Sequence, residues 1–380
     1  MLAPDFAKRF SLGEVALTDA YGSQERHPLE LDLSMSSLCM TLHDHLPPAM
    51  IFDNYHYSSS AGLPERHIQE LADTGQRLAP FGSEILEIAC NDGYLLREYR
   101  RRGIRAFGVD PAANLVDPEL DVRVDYFSPA VAELILDEWG QFGMVHAHNV
   151  LAHTPDPVGL LQGIRTLLEP GGKALIEVQY LRDTIEKGQF DNIYHEHYWY
   201  LTLHSITLMM MRAGLCPVEA YRTEYQGGSL RVVAEIPSTP KIPEHVLRMC
   251  EHERGAMETP GYFDRLTEAI KERVEGLWWL LDAVRNSAPK AEVYGFGASA
   301  KATVLLNLAG VDVDRIAGIF DDAETKQGLT LPGTSIPILS PESMPEIDPR
   351  TILVFPWNAF DMITGNHPLF ADRMVNVREV

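Results

Sequence analysis

Cysteine, long apolar runs and positive charge are all scarce in this chain. Its four cysteines, Cys39, Cys90, Cys216 and Cys250, are scattered without a CxxC pair. That spacing suggests neither a disulfide framework nor a thiolate metal site, and it suits a reducing compartment. No apolar stretch approaches the ~20 residues of a membrane-spanning helix. The N-terminal MLAPDFAKRFSLGEV lacks the basic, apolar and small-residue order of a signal peptide, so a soluble, cytoplasmic protein is expected. Lys plus Arg number 32 against 54 Asp plus Glu, a net charge of −22, which opposes non-specific attraction to nucleic acid or an anionic membrane. A small anion can still be held by local Arg, Lys and backbone N–H groups, because charges beyond a Debye length of ~8 Å are screened. The expected partner is therefore a small molecule.

With 380 residues, 45% of them hydrophobic, the chain has room for two or three domains with their own cores. Residues 1–70 read as a small, irregular, loop-rich N-terminal lobe containing Pro47, Pro48 and an aromatic-polar run from Phe52 to Ser60. Between 71 and 240, strand-length apolar runs at 84–88, 106–109, 144–147 and 174–178 alternate with helical stretches, the pattern of a parallel α/β sheet. Residues 241–288 predict a helical connector, with Trp278, Trp279, Leu280 and Leu281 in its apolar stretch. From 289 to 380 a strand (Ala291–Tyr294), a glycine turn (Gly295–Lys301), a helix to Leu308 and a strand ending at Asp321-Asp322 predict a second, Rossmann-like α/β domain.

The strand ending near Ile88 runs into Ala89-Cys90-Asn91-Asp92-Gly93, and the next strand ends at Asp110, 23 residues after Glu87. Small residues and one glycine let a ligand approach the backbone, and an acid closing the second strand can accept hydrogen bonds from a ribose diol. A dinucleotide site wants GxGxxG, and only one glycine is present. The turn therefore suits S-adenosylmethionine, which has no pyrophosphate to cradle; another nucleotide enzyme, or a purely structural turn, stays open on these residues alone.

Four runs carry a resemblance: Leu86–Gly93, Gly108–Leu115, Asn149–Asp156 and Phe190–His197. Further matches are Gln226-Gly227-Gly228-Ser229-Leu230-Arg231, Gly295–Lys301, Lys326-Gln327-Gly328 with Pro332-Gly333-Thr334, and Trp357-Asn358. In order, over residues 50–360, the chain resembles the nucleotide-sugar C-methyltransferases, which methylate a carbon next to the ketone of a dTDP-4-keto-deoxyhexose in antibiotic-sugar biosynthesis. The resemblance implies a central methyltransferase domain binding S-adenosylmethionine through Glu87, Asn91, Gly93, Asp110, Pro111 and Asn149. Tyr57 and Ser59 lie in a Tyr-x-Tyr-x-Ser run that closes over the cofactor in that family.

Tyr194-His195-Glu196-His197 follows the strand ending at Val178, and His153 follows the strand around Val145, so a doubly wound sheet brings both to its C-terminal edge. Carbon methylation needs a proton removed from a carbon acid, which an imidazole accepts at neutral pH if something stabilises the enolate oxygen. His197 as base, with Tyr194 and His153 as hydrogen-bond partners, fits that need, and the resemblance assigns catalysis to Tyr194, Glu196, His197 and the position of His153. The HxH spacing lacks the i, i+4 pair of a helical zinc site.

Two departures touch the substrate side. Family members usually begin with two CxxC pairs that bind structural zinc; the first is missing here and the second aligns with Ser34-Met35-Ser36-Ser37, so no metal is expected. Gln226 stands where the family commonly has His. Arg231 follows in the same motif, and both are expected on the substrate side. In the second glycine turn, Ser299 and Lys301 open a helix whose exposed N–H groups suit a phosphate. Lys326 offers a second cation, and the resemblance implies that this domain holds the nucleotide; a turn used only for packing is the alternative.

Overall fold

Strict alternation of leucines in His27–Ser34, with Leu29, Leu31 and Leu33 buried, makes that segment a strand with one face on a core. In the computed structural model, which describes residues 6–52, 58–239, 241–287 and 292–379, it is the second of three N-terminal strands: β1 (Phe6–Val15), β2 (His27–Ser34) and β3 (Cys39–Leu42). The expected irregular lobe is thus corrected to an antiparallel sheet. Its turn-rich links obscured the pattern, and its fourth strand comes from far along the chain. No group of three or more His, Cys, Asp and Glu side chains among the described residues is placed to hold a metal ion. Ser37 Oγ–H donates to Ser34 Oγ at 2.6 Å, and Cys39 Sγ lies 3.3 Å from Ser37 Oγ.

The central sheet is built from β4 (Ile85–Ile88), β5 (Ala106–Asp110), β6 (Val122–Val124), β7 (Phe142–His148) and β8 (Leu168–Gln179). The short β9 (Trp199–Tyr200) instead pairs with β3, completing the N-terminal sheet. The strands β10 (Cys216–Thr223) and β11 (Ser229–Glu235) close the central sheet as an antiparallel hairpin. Its order is β10-β11-β8-β7-β4-β5-β6, parallel from β8 to β6 and antiparallel at β11. All four residues of β4 are buried, as expected for a parallel strand covered on both faces. The helix Glu65–Leu78 packs Ile68, Leu71 and Ala72 against Ile85, Tyr99 and Met144, so it belongs to this sheet rather than to the N-terminal lobe.

The connector is helical as expected, in two segments, Glu244–Met257 and Asp264–Ser287. Beyond it, β12 (Val293–Phe296), β13 (Gly318–Phe320), β14 (Ile338–Leu339), β15 (Thr351–Val354) and β16 (Met374–Asn376) form an all-parallel sheet in the order β14-β13-β12-β15-β16. One buried cluster includes Leu29 and Leu31 of the lobe, Phe190 of the central domain, Leu277 of the connector and Leu305 of the last domain. The lobe and the second α/β domain therefore share a core. No helix among the described residues is long and apolar enough to cross a membrane.

Candidate active site

Parallel strands deliver their next residues to one edge of the sheet, and ligands bind in the crevice there. A cavity of about 660 Å³ occupies that edge. Its walls include Glu87 and Ile88 ending β4, Val109 and Asp110 ending β5, His148 ending β7 and Gln179 ending β8. Four non-glycine residues on its wall, Ala89, Asn91, Asn149 and Gln226, have φ of 57°, 53°, 51° and 48°. Left-handed backbone is tolerated by Asn and disfavoured for Ala, so conformational strain is concentrated at the cavity.

Asp110 organises the first glycine turn. Its two oxygens accept the backbone N–H groups of Asn91 and Ala112, each at 2.8 Å, while Asn91 Oδ1 accepts the N–H of Ser59 at 2.8 Å. Burial, with Asp110 and Asp92 close by, pushes Glu87 well above the ordinary carboxylate range, and burial raises Asp110. Glu87 Oε2 and Asn149 Oδ1 are buried and have no hydrogen-bond partner. No lysine or arginine is among the described residues lining the cavity. Burial without a cation favours the neutral acids, and a positively charged guest would favour their ionised forms.

Tyr194, His153 and His197 also line the cavity. The His197 and His153 rings are 4.6 Å apart, and Tyr194 lies 4.2 Å from His197. His197 Nδ1–H donates to the carbonyl of Asn192 and His153 Nδ1–H to that of Glu196, both at 2.7 Å. A carbonyl can only accept, so each neutral ring carries its proton on Nδ1 and keeps its lone pair on Nε2. Burial lowers His153 to about 4; burial and the neighbouring His153 hold His197 well below the ordinary imidazole value.

The sequence-derived candidates divide sharply. Ser59, Glu87, Asn91, Asp110, Pro111, Asn149, His153, Tyr194, His197 and Gln226 all line the cavity. Gly93 instead precedes the helix Tyr94–Arg101 at φ 78°, where a Cβ would lie 2.2 Å from Leu120. Tyr57 falls outside the described residues. The Glu196 carboxyl turns away from the cavity and accepts the hydroxyl of Thr18; burial raises it to about 7.

The groups expected on the substrate side and at a phosphate are committed elsewhere. Arg231 is buried in β11, paired with Glu177 and 3.3 Å from His67 Nδ1. Ser299 caps its own helix, Ala300–Ala309, by accepting the N–H of Ala302. Lys326 donates to the carbonyl of Ala298 at 3.0 Å and lies 3.6 Å from Asp321. Lys301 is paired with Asp191. None of the four lines the cavity.

Sequence reasoning overlooked His148. Tyr99 O–H meets His146 Nε2 at 2.7 Å and His146 Nδ1 meets His148 Nε2 at 3.1 Å, leaving His148 Nδ1 buried without a partner, 3.9 Å from Glu87. The period of two along β7 places both rings on one face, so the spacing His146-x-His148 in an apolar strand is the signal that could have found it. Gln179 was also missed; its side-chain N–H₂ donates to Gln226 Oε1 at 3.1 Å.

The sheet order and the crevice define the chain as a Rossmann-like α/β methyltransferase. Residues 64–220 match the family model described as a methyltransferase domain, and residues 224–377 the one described as a C-methyltransferase C-terminal domain. The chain is 31% identical over 374 residues to the C-methyltransferase NovU of Streptomyces niveus, covering 93% of this chain and 86% of that protein. It belongs to the C-methyltransferase family. A ubiquinone biosynthesis O-methyltransferase of Xanthomonas axonopodis pv. citri is 33% identical over 106 residues, covering 26% of this chain and 44% of that one. Among solved structures, the CcbJ methyltransferase of Streptomyces caelestis aligns with 49% of this chain and 95% of its own at 17% identity, with a TM-score of 0.37. The cofactor is S-adenosylmethionine. The cavity fits it: the orphaned oxygens of Glu87 and Asn149 and the uncompensated carboxylates suit a cationic sulfonium and ammonium.

Proposed function

We propose that the chain methylates a carbon beside a ketone, on a dTDP-linked keto-deoxysugar, with His197 as the base. The observation that carries the reading is the pair of imidazoles whose Nδ1 protons are tied to carbonyls of one loop, in the same cavity that the first glycine turn lines. In this reading Glu87, Asn91, Asp110, Pro111, Asn149 and Ser59 hold the cofactor. The bound cofactor supplies an electrophilic methyl group. His197 Nε2 takes the proton from the carbon, and its depressed basicity keeps it unprotonated and ready at neutral pH. The Tyr194 hydroxyl is offered to the ketone oxygen, where charge develops as the carbon is deprotonated, while His153, its Nδ1 proton held by the Glu196 carbonyl, presents an Nε2 lone pair that accepts a hydrogen bond from an acceptor hydroxyl. Glu196 acts from behind, its carbonyl fixing His153. Residues 71–240 are read as the catalytic domain and 289–380 as the domain that covers the acceptor, with Gln226 at the acceptor end of the cavity.

A specific observation favours a second acceptor. Lys301 and Lys326, the cations expected to meet a phosphate, are engaged internally, and so is Arg231, expected on the substrate side. A ketone-bearing acceptor without a phosphate needs none of them.

The deciding experiment is incubation with S-adenosylmethionine and a dTDP-4-keto-6-deoxyhexose, followed by mass analysis. A product heavier by one CH₂, matched by S-adenosylhomocysteine, is expected. No product from protein that still binds cofactor would leave the phosphate-free ketone as the acceptor. Solvent deuterium entering the sugar without methyl donor tests the base separately, and its loss in His197→Gln is the expected result.

A further inference from the structure

Three motifs found no place in the binding site: the Asp191-Asn192 pair, Lys301 in the second glycine turn, and Trp357. They meet. Lys301 forms an ion pair with Asp191, lies 3.3 Å from Asn192 Oδ1, and sets its ammonium 4.6 Å over the Trp357 ring. Asp191 is fully buried, and its other oxygen, Oδ1, has no hydrogen-bond partner. Lys301 is therefore the cation that compensates a carboxylate the interior could not otherwise hold.

The next link leads to the proposed base. Asp191 and Asn192 lie in one tight 3₁₀ turn, Phe190–Asn192, so fixing the Asp191 carboxylate and the Asn192 amide fixes the Asn192 carbonyl. That carbonyl receives the Nδ1–H of His197. The loop is held from the other side by Thr18 on Glu196 and by His195 Nε2, 3.1 Å from the carbonyl of Pro28.

We infer that Lys301, from the second α/β domain, is a positioning residue for the His197 imidazole, acting through Asp191 and Asn192. The inference rests on the reading of His197 as base. It gives the second domain a part in proton transfer through the loop that carries the base, and it removes Lys301 from the candidate phosphate ligands. The ion pair sets a rotamer and a tautomer: if the Asn192 carbonyl drifts, the ring loses its orienting acceptor and the lone pair no longer rests on Nε2 alone.

The test compares Lys301→Met, Asp191→Asn and the double variant. Long-range ¹H–¹⁵N spectra of the imidazoles read the His197 tautomer, calorimetry reads S-adenosylhomocysteine affinity, and turnover reads kcat against the KM for cofactor. The expected result is a single Nδ1–H tautomer in wild type and a mixture in all three variants. With it comes a fall in kcat of roughly tenfold to hundredfold, with cofactor affinity and KM unchanged. The double variant removes both buried charges and regains thermal stability without regaining kcat; a merely structural pair would regain both. If a single variant does not fold, the double variant decides alone. An unchanged tautomer overturns the inference, whatever happens to turnover. If wild type methylates no sugar nucleotide, the acceptor assignment fails, while the spectra still decide the role of Lys301.

Discussion

The chain builds the same local device twice and uses it for opposite ends. In the central domain Asp110 closes β5 and accepts the N–H groups of Asn91, in the glycine turn, and of Ala112, two residues on. In the last domain Asp321 follows β13 and accepts those of Ala298, at 2.7 Å, and Ala323, at 2.9 Å. The backbone wiring is the same. In front of the first turn lies a cavity of about 660 Å³ with a buried, unpartnered Glu87 oxygen. In front of the second, the Tyr21 hydroxyl donates to the carbonyl of Ala298 at 2.9 Å and Lys326 lies 5.2 Å over the Tyr21 ring. Pro356 crowds Gly297, at φ 85°, so closely that a Cβ there would lie 2.4 Å from its Cγ. A glycine turn with its acid is thus a way to hold two strand ends together. Whether it also binds depends on what the rest of the chain packs against it.

The largest contrast concerns the groups facing each turn. His197→Gln is expected to lower kcat about 10²- to 10⁴-fold while S-adenosylhomocysteine still binds by calorimetry; wild-type turnover would remove the base from the first turn.

Acid should attack the first turn's surroundings next. His146, lowered to about 3, His153, to about 4, and His197, well below its usual value, are buried neutral. Their contribution to stability is complete above the unfolded imidazole value of about 6.5 and is lost as pH falls through the folded values. Glu196, raised to about 7, runs the other way, its stabilisation lost as pH rises through that value, and so offsets part of the acid loss. The expected net result is a melting temperature that falls between about pH 6.5 and 4. The acid limb of kcat/KM should lie below 6.5; a limb at or above the free imidazole value contradicts the burial of His197.

A matched pair tests the comparison itself. Asp110→Asn and Asp321→Asn should each cost roughly 1–2 kcal/mol by denaturant unfolding, since each turns an accepting oxygen into a donor facing an N–H. Only Asp110→Asn should weaken S-adenosylhomocysteine, by about tenfold or 1.4 kcal/mol. Equal weakening by both would mean that the second turn also serves the cofactor. The smallest effect is Tyr21→Phe, which removes one hydrogen bond at the second turn, about 1 kcal/mol, with cofactor affinity unchanged.

The central domain was legible because its signals are local. Apolar runs such as Ile85–Ile88 have strand length, and the acid-turn spacing from Glu87 to Asp110 marks a crevice whichever ligand fills it. The loop Tyr194–His197 could be placed at the same edge by counting from β8. The N-terminal sheet was missed although Leu29, Leu31 and Leu33 alternate, because its turn-rich links and β9, which completes it, break the pattern over distance. Lys301, Lys326 and Arg231 were read from their motifs and their charge, and neither says which carboxylate or carbonyl waits inside the fold.

The sequence by itself determined the two α/β units, their turns and acids, and the residues gathered at the first crevice, because hydrophobic period and turn chemistry act over a few residues. Tertiary structure alone decided that Asp191 would meet Lys301, that Tyr21 would cap the second turn, and that Glu196 would face Thr18. Those partners lie 110, 277 and 178 positions apart, and what brings them together is the shared core of lobe, connector and last domain. Packing, which no local period encodes, chose the turn left open and the cations left unavailable to a ligand.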